Sequence, residues 1–100
     1  MFGVMELNTG KLVLTKNERE HYRKIAEFGC ILCYKLGNQG TPCEIHHIRR
    51  AGKRSTAPVI GLCPYHHRGS GTGIHGMGRK LFEQEYCTEE ELLAITNDLI

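Results

Sequence analysis

Five cysteines and six histidines stand among 100 residues. Cys30-Ile-Leu-Cys33 is a C-x-x-C pair, and Cys63-Pro-Tyr-His66 further along is a C-x-x-H pair. Each pair can close on one ion from a single tight turn, and thiolate with imidazole is a donor set that zinc prefers. Together they predict a tetrahedral structural zinc site made of Cys30, Cys33, Cys63 and His66. A lone C-x-x-C could equally be a redox pair, but that use needs a thioredoxin-like βαβ setting, which the flanking sequence does not supply. The odd cysteine count argues against a complete disulfide framework. Cys43 and Cys87 have no partner at chelating spacing and read as buried thiols, with Cys43 a poor alternative ligand.

The histidines form a second constellation. His46 and His47 are adjacent in a segment that reads as a strand, where successive side chains point to opposite faces. One ion is then a poor fit to both, and two jobs are natural: one ring binds a metal and the other acts as a base. His67 directly follows His66. His75 lies in Thr72-Gly-Ile-His-Gly-Met-Gly78, which reads as a loop free enough to turn a histidine inward. Taken singly, each would be an ordinary hydrogen-bonded residue, but their clustering beside a zinc motif argues against coincidence. Other chemistries lack their signatures. There is no His-Glu-x-x-His for a zinc peptidase and no Gly-x-x-x-x-Gly-Lys-Ser/Thr for a nucleotide-binding loop. Ser55 and Ser70 have no acid–base array around them.

The elements that must position these residues are short. Val4, Leu7, Leu12 and Leu14 around Asn8-Thr9-Gly10 predict an N-terminal hairpin over 1–14. Thr15 and Glu18 form a capping box opening a helix, with Tyr22, Ile25, Ala26 and Gly29 on one face and Gly29 as its stop. Residues 34–42 read as loop, 44–48 as a strand, 49–57 as a basic loop and 59–62 as a second strand. A helix can start just after Cys63-Pro64. Residues 69–78 hold five glycines and read as loop, and 79–86 reads as helix. Thr88 and Glu91 form a second capping box, with Glu89, Glu90 and Glu91 favourably placed at that helix's N-terminus. Leu92, Ile95, Thr96 and Leu99 follow at core spacing. The chain fits one domain over 1–100, a hairpin of 1–14 followed by a core of 15–100. No apolar stretch is long enough to span a bilayer and no secretory signal is visible, so a cytoplasmic protein with no membrane partner is expected.

Charge is distributed unevenly. The net charge is only +2, yet Ile45 to Phe82 contains no Asp or Glu. That stretch carries Arg49, Arg50, Lys53, Arg54, Arg68, Arg79 and Lys80. A basic middle between acidic flanks predicts a polyanionic partner, and nucleic acid is the commonest. These seven residues are the candidate contacts to a nucleic-acid backbone.

Cys30-x-x-Cys33, Glu44-Ile-His-His-Ile48 and Gly61-Leu-Cys-Pro-Tyr-His-His67, in this order, resemble the zinc-ribbon branch of the HNH (ββα-metal) nucleases. Within that group the sequence is most similar to the phage recombination-enhancement (Ref) family of RecA-dependent nucleases. Gly73-Ile-His-Gly-Met-Gly78 with Phe82 and Tyr86 extends the likeness. The resemblance implies an α+β fold, a small zinc-stabilised ββα-metal domain with flanking helices. It implies that His46 and His67 bind a catalytic divalent ion, Mg²⁺ or Mn²⁺, that His47 is the general base, and that His75 is a further candidate ligand. Cys30, Cys33, Cys63 and His66 match the structural zinc positions. The implied activity is phosphodiester hydrolysis in single-stranded or duplex DNA, linked to recombination, with a RecA filament as a candidate partner. One departure is that no Asn lies between His47 and His67, and Pro58 occupies the place where many HNH enzymes carry one, so another group must position the base. The main competing expectation is a non-catalytic, zinc-dependent nucleic-acid-binding module. It accounts for the zinc ligands and the basic loop but gives no reason for His46, His47, His67 and His75. A protein-interaction zinc domain leaves the basic stretch unexplained.

Overall fold

Thr15 is a helix cap in both senses of the capping box. Its hydroxyl accepts from the Glu18 backbone N–H at 3.1 Å, and its own N–H donates to the Glu18 carboxylate at 2.8 Å. These bonds satisfy end groups that the helix itself cannot. They open α1 (Lys16–Phe28), which ends at Gly29 with φ +98°. The computed structural model describes residues 15–49 and 57–100. The hairpin expected over 1–14, and Arg50, Lys53 and Arg54, lie outside the described residues.

Cys30 then caps α2 (Ile31–Lys35), with the Cys33 N–H donating to the Cys30 sulfur at 3.3 Å. The chain crosses to β1 (Glu44–His47), which pairs antiparallel with β2 (Val59–Leu62). Glu44 faces Leu62, Ile45 faces Gly61, His46 faces Ile60 and His47 faces Val59. Ile48 N–H still donates to Pro58 O at 2.9 Å beyond the last pair. Cys63 and Pro64 turn the chain from β2 straight into α3 (Pro64–His67). Three helices follow: α4 (Ile74–Met77), α5 (Arg79–Glu85) and α6 (Glu89–Leu99). Thr88 and Glu91 complete the second capping box at the start of α6.

The described residues thus form a small α+β unit of six helices and one two-stranded sheet, with β1, β2 and α3 running in ββα order. Ile31, Leu32, Ile60, Leu62, Phe82 and Leu92 are fully buried, and Cys30, Cys33 and Cys63 belong to the same apolar cluster. No described helix is long and apolar enough to cross a membrane.

Several local expectations are corrected. Residues 34 and 35 are the last turn of α2 rather than loop. The glycine-rich stretch contains α4, so His75 is carried on a helical turn and not on a bent loop. Glycine there serves close approach. A Cβ on Gly76 would lie 2.1 Å from Gly69 O, and one on Gly73 would lie 2.6 Å from Arg68 N. Leu99, expected in the core, is exposed.

Gly29 joins α1 to the first cysteine pair and is under two constraints. Its φ favours glycine, and a Cβ would meet Thr41 O at 2.5 Å. Gly37 has φ +102° but nothing within 4 Å of a Cβ. Gly29→Ala is therefore expected to cost about 3 kcal/mol, from strain in a backbone region that is essentially glycine-only. Gly37→Ala should cost about 1 kcal/mol, the conformational penalty alone. Denaturant midpoints of the zinc-loaded protein measure both, and equal losses would contradict this assignment.

Candidate metal centres

Two turns supply the first centre. Cys30 and Cys33 flank the N-terminus of α2, and Cys63 and His66 do the same for α3. The His66 Nδ1 lies 3.9 Å from the Cys30 sulfur, 3.5 Å from Cys33 and 3.3 Å from Cys63, and the Cys33 and Cys63 sulfurs are 3.7 Å apart. Zinc with Zn–S of about 2.3 Å and Zn–N of about 2.0–2.1 Å holds tetrahedral donors roughly 3.5–3.8 Å apart. The observed spacings match those edges, so this buried group of three cysteines and one histidine could hold zinc. Tyr65 and Tyr86 pack edge-on to the His66 ring at centroid distances of 5.0 and 5.3 Å. Burial pushes the Cys30 thiol up to about 12 and lowers His66 below the usual imidazole range. Cys43 stands outside the group, with its sulfur donating to Ile25 O at 3.6 Å. Cys87 is buried elsewhere in the core cluster.

The second centre collects one histidine each from β1, α3 and α4. His46, His67 and His75 offer ligand nitrogens that all lie within 4.8 Å of one another. Their ring centroids are 5.1, 5.2 and 4.7 Å apart. His46 is buried, His67 partly so, and His75 is exposed, so the cluster opens to solvent on the His75 side. Desolvation, then the adjoining His46 and His67, lower the pKa of His75, which favours a neutral ring with a lone pair to give. Three imidazoles suit a divalent transition ion and leave coordination positions open.

His47 takes the other direction from β1, as strand alternation requires. Its Nε2 lies 3.4 Å from the Tyr22 hydroxyl of α1, with the rings edge to face. His47 is partly exposed. With His46, Arg49 and His75 it lines two adjoining cavities of about 220 Å³ each, and Arg79 and Glu89 extend one of them. The cleft therefore presents histidines from both faces of β1 together with two arginines.

Three residues of the site escape sequence reasoning. Glu89, at the first turn of α6, is buried and its Oε2 accepts from His46 Nε2 at 2.6 Å. Glu44 accepts from His67 Nδ1 at 2.8 Å and is gripped by Arg68, whose Nη2 donates at 2.7 Å. Those two partners, Arg68 first, hold the Glu44 carboxyl down at about 2. Tyr22 is the third. A signal existed for Glu44, which shares a strand face with His46 two residues on. None existed for Glu89, whose place after a capping threonine reads as helix-dipole compensation. Arg68, expected on the DNA, is engaged by Glu44, and Arg79 Nη1 lies 4.0 Å from Glu89 Oε1. Arg49, Arg79 and Lys80 are exposed.

The family model described as recombination enhancement, RecA-dependent nuclease matches residues 14–100. No curated protein matches the chain.

Zinc binding to the metal-free chain must displace protons, because zinc takes thiolates and burial holds the Cys30 thiol protonated. Affinity should fall as pH falls, and zinc uptake at pH 7 should release protons. Calorimetry in buffers of different ionisation enthalpy measures that release. Cys63→Ser should lose both the metal and the fold, whereas Cys43→Ser and Cys87→Ser should keep one zinc per chain. A folded, metal-free Cys63→Ser protein would rule out this ligand set.

Proposed function

The chain belongs to the recombination-enhancement, RecA-dependent nuclease family, and on that premise we propose that it is a metal-dependent DNA endonuclease of the HNH type. The observation that carries this reading is the convergence of His46, His67 and His75 at the edge of a cleft that His47 also lines. A zinc-stabilised binding module has no use for that convergence. Cys30, Cys33, Cys63 and His66 hold structural zinc, and His46, His67 and His75 hold a catalytic Mg²⁺ or Mn²⁺. Three imidazoles are soft donors for Mg²⁺, which favours oxygen, so Mn²⁺ is the better fit of the two. The ion, when bound, supplies Lewis-acid stabilisation of the charge that builds on the phosphoryl oxygens.

The remaining work falls to the chain's own residues. His47 takes the proton from the attacking water, a task for which an imidazole is the side chain best suited near neutral pH. Tyr22, at 3.4 Å, supplies the positioning contact that the missing Asn would otherwise give. Arg49 and Arg79 at the cleft, with Lys80 nearby in sequence, face the DNA phosphates; Arg50, Lys53 and Arg54 are further candidate contacts from the same basic stretch of sequence. Contacts of this kind carry charge and register and no base code, so cleavage should show little sequence preference. Arg68 contributes less directly, because Glu44 already holds its guanidinium. Dependence on a RecA filament follows from the family description and makes RecA-coated DNA the substrate to try beside naked strands.

The test is cleavage of single-stranded, duplex and RecA-coated DNA by the zinc-loaded protein, with and without Mn²⁺ or Mg²⁺. His47→Ala should cut the rate by roughly 10²–10⁴, the usual worth of acid–base catalysis, while leaving zinc content and DNA affinity nearly intact. His46→Ala and His67→Ala should also lose cleavage, but with residual activity that responds to added Mn²⁺. Wild-type protein that binds DNA yet cuts none of the three substrates under either metal would favour the binding module instead.

A further inference from the structure

Neither imidazole of the pair His46 and His67 meets the cleft alone: each has a carboxylate on one ring nitrogen. Glu89 Oε2 sits 2.6 Å from His46 Nε2, and Glu44 Oε1 sits 2.8 Å from His67 Nδ1. An ionised carboxylate only accepts, so the nitrogen that faces it must carry the proton. In a neutral ring the lone pair is then left on the opposite nitrogen, Nδ1 of His46 and Nε2 of His67. We propose that Glu89 and Glu44 are positioning residues that fix the tautomer and orientation of His46 and His67 and so commit one lone pair of each ring to the divalent ion.

The two carboxylates are themselves held. Arg68 donates to both Glu44 oxygens, at 3.0 Å from Nε to each and 2.7 Å from Nη2. Glu89 is buried at the first turn of α6, with Arg79 Nη1 at 4.0 Å from its other oxygen. Glu89 is not one of the residues whose ligand atoms lie mutually within 4.8 Å, which favours an outer role over direct coordination. Its place in the chain gives α6 a function beyond packing: a helix that begins 42 residues after the histidine pair ends holds one of their rings in register. His75, on the exposed side, is the ligand that an incoming phosphate would approach.

This rests on the reading of His46, His67 and His75 as a metal site, and the test separates the two. Mn²⁺ is titrated into protein carrying one zinc per chain, with free Mn²⁺ followed by electron paramagnetic resonance. Ring nitrogens are followed by ¹⁵N NMR before Mn²⁺ is added. Wild type should bind one Mn²⁺ that His75→Ala loses, and should show His46 protonated at Nε2 and His67 at Nδ1. Glu44→Ala and Glu89→Ala should weaken Mn²⁺ binding by about 10–100-fold, the usual effect of removing an outer-shell partner, and mix the tautomers of His67 and His46 respectively. Glu89→Gln keeps an acceptor and a similar volume, so it guards against simple misfolding of Glu89→Ala. It should retain the His46 tautomer and lose less affinity than the alanine variant. If wild type binds no Mn²⁺ that depends on His75, the metal-site reading fails and takes this proposal with it. If wild type binds but the glutamate variants bind equally well, only the proposal fails. If Glu89→Gln is as weak as Glu89→Ala with the tautomer unchanged in both, Glu89 is a direct ligand and the positioning role is wrong.

Discussion

Three thiols and an imidazole face one another in the interior at 3.3–3.9 Å, and everything else hangs from that meeting. Without a cation it is a buried polar knot in a chain whose apolar core is small. With zinc it becomes the strongest tie in the molecule, since such sites contribute about 10–16 kcal/mol against a total folding stability of only about 5–15 kcal/mol. The tie joins the start of α2 to the junction of β2 and α3. It therefore fixes the direction in which α3 leaves the sheet. His66 points its Nδ1 into the knot, and its neighbour His67 is thereby delivered to the opposite side of the same short turn.

Two simple periodicities then separate structure from chemistry. On α3, consecutive residues diverge, so His66 and His67 serve different centres. On β1, alternation sends His46 inward to His67 and His75 and turns His47 toward Tyr22. The second centre is graded from buried His46 to exposed His75, an arrangement that would suit the proposed ion, held firmly with one side open to substrate. The arginines show the same economy. Arg68 steadies Glu44 beneath the site, while Arg49 and Arg79 remain at the rim of the cleft.

Local features were legible in the residues and long-range ones were not. Both capping boxes could be read because a Thr and a Glu three positions apart satisfy each other's end groups without outside help. The two chelating pairs could be read because a turn fixes their spacing. The second strand could be read from the apolar run Val59 to Leu62, and the helix after it from Pro64, which a first helical turn tolerates. By contrast α4 was hidden, because glycines that look like loop exist there to let Gly76 pass close to Gly69. Glu89 was hidden because its burial depends on α6 packing against β2, which brings its first turn to His46. The same limit hid Tyr22, which meets His47 only when α1 lies across the sheet.

The proposed function requires two ions in two unlike donor sets, one for the fold and one for the reaction. Crystals of the zinc-loaded protein soaked in Mn²⁺, with anomalous diffraction collected at the zinc and manganese edges, test it directly. The expected result is one zinc among Cys30, Cys33, Cys63 and His66 and a separate manganese among His46, His67 and His75. A single ion per chain, or manganese bound only at surface carboxylates away from the three histidines, would contradict it.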